Sequence, residues 1–164
     1  MKLLQILFVI LLFTSCQEEQ KCKYKISPIF TSADSPTSKI KDHSFDHKGT
    51  KATEKATFPN GVRLELFQTI CNDSQQEYHF FIKGDFRSQS DDFWVNQAAQ
   101  QFFNMAGSAK EVEGVSAYGV LFQNNPKMYP LGEKVGIQDG IFVKIDKLVG
   151  IEESQVIITI SQGA

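Results

Sequence analysis

The stretch Val62-Arg63-Leu64-Glu65-Leu66-Phe67-Gln68-Thr69-Ile70 decides the fold class. Val62, Leu64, Leu66 and Ile70 alternate with Arg63, Glu65 and Thr69, the period-two signature of a strand with one buried face. A polar turn over residues 72–76 follows, and residues 77–83 repeat the pattern. Here Tyr78, Phe80 and Ile82 share one face, with His79, Phe81 and Lys83 on the other. Two such strands around so short a connection form a hairpin, and a short turn permits only antiparallel neighbours.

Working outward, residues 52–58 read as a further strand, because Pro59-Asn60-Gly61 supplies a tight turn directly after them. On the C-terminal side, residues 88–92 offer helix-capping side chains, with Asp91 and Asp92 placed at the positive end of a helix dipole. Trp94, Ala98, Phe102 and Met105 then recur at helical spacing until Gly107 stops the run. Such an aromatic stripe reads as core. Residues 116–122 read as a strand through Tyr118, Val120 and Phe122, and residues 123–140 as a long loop holding Pro126, Pro130, Gly132 and Gly136. Residues 141–148 and 155–161 form a last hairpin, with Ile141, Val143 and Ile145 facing one way and Val156, Ile158 and Ile160 sharing a face. The expectation is an α+β domain over residues 51–164: an antiparallel β-sheet built from hairpins, with one amphipathic α-helix packed on one face.

Composition agrees with an ordinary globular domain: 164 residues, 41% hydrophobic and 22% charged, with fourteen Phe to furnish a core. Seventeen basic residues stand against nineteen acidic ones, a formal net charge of −2. There is no basic excess to neutralise phosphates, so nucleic acid is excluded as the main partner.

The chain opens with Met1-Lys2-Leu3-Leu4-Gln5, runs apolar from Ile6 to Phe13, and reaches Thr14-Ser15-Cys16. One positive charge, a short apolar run and small residues make a secretory signal peptide over residues 1–15, too short to span a bilayer. Phe13-Thr14-Ser15-Cys16 resembles the lipobox of bacterial lipoproteins, with Phe13 where that family usually carries Leu. The resemblance covers only about the first twenty residues, an order-of-magnitude extent set by the signal-peptide pattern. It implies cleavage before Cys16 and lipidation of that cysteine, and acyl chains then replace a transmembrane helix as the membrane anchor. Cys16-Gln17-Glu18-Glu19, acids close behind the cysteine and no Asp directly after it, resembles the signal of lipoproteins sent to the outer membrane. The expected location is therefore the cell envelope, lipid-anchored, with the outer membrane favoured.

Of the two cysteines that remain, Cys22 and Cys71 are expected to form a disulfide in that oxidising compartment. Residues 31–57 carry only Ile40 and Phe45 as large apolar side chains against nine Ser or Thr. The span 16–50 is accordingly expected to be a lipidated, flexible tether.

Motifs for chemistry are scarce. GxSxG, P-loop, GxGxxG, HExxH and CxxC patterns are all absent from the sequence. In Asp42-His43-Ser44-Phe45-Asp46-His47 the two imidazoles would meet on one face of a helix, a spacing suited to zinc or copper. They lie in the expected tether without a third ligand and are read as solvated, so neither a metal nor a cofactor is assigned. Asn72-Asp73-Ser74 is read as a polar turn, and the adjacent Glu152 and Glu153 as solvated hairpin residues. Long loops inside small domains tend to be functional, and the one over 123–140 presents Lys127, Met128 and Tyr129 as a contact surface. Two functions fit. The first is a non-enzymatic binding domain held at the membrane, of immunity or inhibitor type, with a protein partner. The other is a small envelope hydrolase with a site assembled from distant residues, Cys71 and His79 foremost. A free Cys71 thiol beside His79 would favour the enzyme, and an apolar patch near Tyr129 would favour the binder.

Overall fold

The computed structural model describes residues 26–30, 40–71, 74–109 and 112–163, and within them all strands belong to one sheet. The strands are β1 (Lys41–Lys48), β2 (Lys51–Thr57), β3 (Arg63–Thr69), β4 (Ser74–Lys83), β5 (Lys134–Gln138), β6 (Ile141–Leu148) and β7 (Glu153–Gln162). Helices α1 (Asp91–Ala106) and α2 (Val112–Asn124) separate β4 from β5, followed by a 3-10 turn, Pro126–Met128. Strand order is β1-β2-β3-β4-β7-β6-β5, antiparallel throughout. Two meanders thus run toward each other, and the ten-residue strands β4 and β7 meet at the centre, paired from Ser74↔Gln162 to Lys83↔Glu153.

The expected α+β class, with an antiparallel sheet and a helix on one face, is what the molecule adopts. Register explains the core. Ala56, Leu64, Phe80 and Val156 lie in one cross-strand row, and Leu66, Tyr78, Ile158 and Ile145 in the next. All point toward α1, which buries Trp94, Val95, Ala98, Ala99, Phe102 and Met105 against them. Ser90 caps α1, its hydroxyl accepting from the Phe93 amide at 3.4 Å, as the capping residues predict. Rings continue through the core in one contact chain, Phe30–Phe58–Phe80–Phe102–Phe122–Tyr129, with centroids 5.0 to 6.4 Å apart. Such pairs add about 0.5–1.5 kcal/mol each beyond their area burial.

Three expectations are corrected. Residues 116–122 are not a strand; they lie inside α2. The buried side of that segment is Val115, Gly119 and Phe122, spaced four and three, with Tyr118 and Leu121 half-buried beside them and Val120 turned to solvent. The alternation of Tyr118, Val120 and Phe122 was a coincidence of β-prone residue types on a helix that tertiary packing stabilises. There are accordingly two helices instead of one: α1 packs on the sheet, as expected, and α2 packs against α1. Secondly, the sheet begins inside the span expected as tether: β1 starts at Lys41 and pairs with β2 along its length. Thirdly, the long loop contains β5, whose Val135 and Ile137 are half-buried and which closes the far edge on β6. The signal segment 1–15, Cys16 and Cys22 lie outside the described residues.

Candidate functional site

The α2 helix does not press flat on the sheet. Between it, the inner ends of β3 and β4, and the segment Ser27–Ile29 lies a cleft of about 600 Å³. A smaller one of about 240 Å³ adjoins it toward β7, sharing Gln68, Gln76 and Tyr118 as walls. The first volume is of the size that holds a small organic ligand.

Strand parity places the polar residues. Gln68 and Gln76 are opposite one another in the β3–β4 ladder, on the inward face, in line with Leu66, Tyr78 and Ile160. The Tyr78 hydroxyl donates to Gln76 Oε1 at 2.7 Å, and Gln76 Nε2 donates to Gln68 Oε1 at 3.4 Å. The chain ends there. Gln68 is only 7% exposed, and its Nε2 has no hydrogen-bond partner among the described residues. Burial, reinforced by Tyr118 and by the Glu54 carboxylate, pushes the Tyr78 phenol far above its ordinary range, and burial also raises Tyr118. Both phenols are therefore neutral donors at neutral pH. No charged side chain lines either cleft among the described residues. Amides and neutral phenols offer a ligand hydrogen bonds.

A buried carboxylate fixes the segment that walls the cleft. Glu54, fully buried, accepts from the Ile29 and Phe30 amides at 2.7 and 3.0 Å. Phe30 then bridges to Ala109. Residues 26–30 are thereby held against the domain.

The residues singled out from sequence are scattered. Tyr129 is buried, 4% exposed, its ring 5.0 Å from that of Phe122, whereas Lys127 and Met128 face solvent. The trio does not form one contact surface, because the aromatic ring is part of the core. Cys71 is disulfide-bonded, with its partner outside the described residues, where the expected Cys22 also falls. His79 sits mid-strand on the open face of the sheet, bonded to Glu77 and edge-on to Phe67. Cys71 and His79 therefore build no thiolate–imidazole pair. His43 and His47 lie on a strand, not a helix: His43 turns inward to Glu54 at 2.7 Å, and His47 bonds the Gly49 carbonyl at 2.8 Å. No group of three metal-ligating side chains occurs among the described residues. Glu153 is held by Arg63, whose Nη2 donates to both carboxylate oxygens at 2.8 and 2.9 Å. Asn72 lies outside the described residues.

Sequence reasoning missed the glutamines. The available signal was parity: Gln68 and Gln76 occupy inward positions where the alternation asks for apolar residues.

A second surface feature stands at the other end of the strands. Leu148, Val149 and Ile151, in and beside the β6–β7 turn, are 56%, 40% and 67% exposed and form the largest cluster of exposed apolar side chains among the described residues. The turn is held in shape. Gly150 donates to Ser154 Oγ at 3.2 Å, Gly84 donates to the Glu152 carbonyl at 2.8 Å, and a Cβ on Gly150 would clash with the Glu153 carbonyl oxygen.

No protein-family model, curated protein or solved structure matches this chain.

Proposed function

We propose that this protein is a lipid-anchored lipoprotein of the bacterial envelope, the outer membrane favoured, whose α+β domain is a non-enzymatic binding module of immunity or inhibitor type. The domain reaches its protein partner through the β6–β7 turn. The observation that carries this reading is where the exposed apolar turn stands relative to the arriving chain. Ser27–Ile29 wall the cleft beside Gln76, near the Ser74 end of β4, whereas the turn projects beyond the Lys83 end. A ten-residue strand spans about 30 Å between those ends. Residues 26–30, the described part nearest the expected lipid anchor, stand on the first side, and an anchor reached from there would leave the turn facing away from the membrane. Three rigidly presented apolar side chains, with the Arg63–Glu153 pair at their border, have the apolar-centre, polar-rim layout of a protein contact.

The test is affinity capture from envelope membranes with the full chain solubilised in detergent, alongside Ile151→Asp and Val120→Asp variants. Val120 is exposed on α2, away from the turn, and serves as the control. A stoichiometric protein retained by wild type and by Val120→Asp but lost with Ile151→Asp is the expected result. A partner that persists with Ile151→Asp, or no partner at all, defeats the reading.

A further inference from the structure

We propose that the cleft under α2 is a binding site for an uncharged ligand that presents a secondary amide, the group shared by N-acetylated sugars and capped peptides. This site is separate from the apolar turn and does not depend on that contact.

The inference starts from Gln68. A buried N–H left without a partner costs about 1–3 kcal/mol. Two side chains carry one among the described residues, Trp94 inside the core and Gln68 in the wall of the cleft, and the second stands where a ligand can supply the acceptor. Its orientation is set from behind, because Tyr78 fixes Gln76 and Gln76 fixes the Gln68 oxygen. The amide edge of Gln68 is therefore preorganised. Nε2, without a partner but closed off from solvent, meets a ligand through a small turn of the Gln68 amide toward the cleft it lines, and Oε1, engaged by a single long bond, retains a second lone pair to accept with. Its complement is another amide: a carbonyl oxygen for Nε2 and an N–H for Oε1.

The walls select the rest of the ligand. With no charged side chain lining the cleft among the described residues, an ionised ligand would enter without a counter-charge and pay its desolvation unassisted. Tyr118 is half-buried and common to both clefts, so its ring offers a face for the apolar side of a sugar or for an aliphatic side chain. About 600 Å³ accommodates one or two such units.

The experiment is a titration of the full chain in detergent micelles, read from the side-chain amide signal of Gln68 by ¹⁵N NMR. The signal is assigned by its loss in Gln68→Met. One arm uses chitobiose, the N-acetylglucosamine disaccharide; a second uses N-acetyl-leucine amide; cellobiose, which lacks the acetamido group, is the control. The expected result is a saturable shift of the Gln68 amide in one of the first two arms, which also identifies the source, and none with cellobiose. In Gln68→Met the affinity for that probe falls roughly tenfold or more. Should Gln68→Met fail to fold, the comparison of chitobiose with cellobiose on the wild-type chain decides the sugar arm, and N-acetyl-leucine amide against 4-methylpentanamide, uncharged and without the secondary amide, decides the peptide arm. No saturable shift in either arm, equal binding of the probes lacking the secondary amide, or unchanged affinity in a folded Gln68→Met overturns the proposal.

Discussion

His43 Nε2 donates to Glu54 Oε1 at 2.7 Å, and this contact joins the edge strand β1 to a carboxylate that already holds the Ile29 and Phe30 amides. Glu54 is the one acidic side chain completely buried among the described residues, on the inward face of β2 between Ala52 and Ala56. A buried carboxylate is tolerated when donors meet its oxygens, and three donors do so here, two on Oε1 and one on Oε2. One side chain thus assembles three pieces distant in sequence: the 26–30 segment, β1 and the sheet.

Replacing Glu54 should therefore loosen more than one contact. Glu54→Ala leaves two backbone amides and an imidazole without their acceptor, and we expect a loss of about 3–5 kcal/mol by urea denaturation. Glu54→Gln keeps one acceptor oxygen and is expected to lose about 1–3 kcal/mol. Hydrogen exchange at Ile29 and Phe30 should accelerate in both variants. Unchanged exchange there would show that Glu54 does not hold the segment.

Alkaline pH should destabilise the domain. Tyr78, Tyr118 and Tyr129 all have phenols raised by burial. Each binds its proton more tightly folded than unfolded, so the stability they contribute is complete below the unfolded value of about 10 and is lost as pH climbs toward the raised folded values. In a Tyr24→Phe background, which leaves only these three tyrosines, absorbance at the phenolate band should stay flat through pH 10 and then rise together with loss of the circular dichroism signal. Reversible titration near pH 10 with the fold intact would contradict the buried placement.

What was legible in the sequence was whatever a single strand or helix dictates about itself. The β3–β4 hairpin, α1 with its Ser90 cap, and the β6–β7 hairpin all carry enough apolar residues at one period to be read without their neighbours. β1 was not legible: Lys41–Lys48 has Phe45 as its only large apolar residue, and it is held by its ladder to β2 and by His43. α2 was misread because Tyr118, Val120 and Phe122 favour strands, and only packing against α1 makes them helical. The cleft was illegible for a related reason. Gln68 and Gln76 look like ordinary strand polar residues until the register sets them side by side on the inward face.

Packing of α2 on α1 turns on Gly119. A Cβ there would come 2.8 Å from the Phe103 ring, closer than real contacts allow. Ala would gain about 1 kcal/mol of helix propensity, but forcing Phe103 aside costs about 1–3 kcal/mol, so Gly119→Ala should be neutral to destabilising by up to about 2 kcal/mol. Adding Phe103→Leu should recover the loss, and the double-mutant cycle should show a coupling of at least about 0.5 kcal/mol. Additive effects would mean that the two residues do not meet.

The Cys71 disulfide should stabilise the domain and guard the cleft at once. Cys71 follows β3 at a φ of 104°, three residues beyond Gln68, and the expected partner Cys22 precedes the Ser27–Ile29 wall. A cross-link from that turn to the N-terminal segment closes a loop of about fifty residues, for which chain entropy gives about 4 kcal/mol. Non-reducing peptide mapping is expected to find Cys71 joined to Cys22. Cys71→Ser should then lower stability by about 2–4 kcal/mol in urea denaturation and speed hydrogen exchange at Ile29 more than at residues of the β4–β7 ladder. The two positions separate the causes. If exchange rises equally at both, the cross-link acts on the unfolded chain alone, and Glu54 is what keeps the 26–30 wall in place.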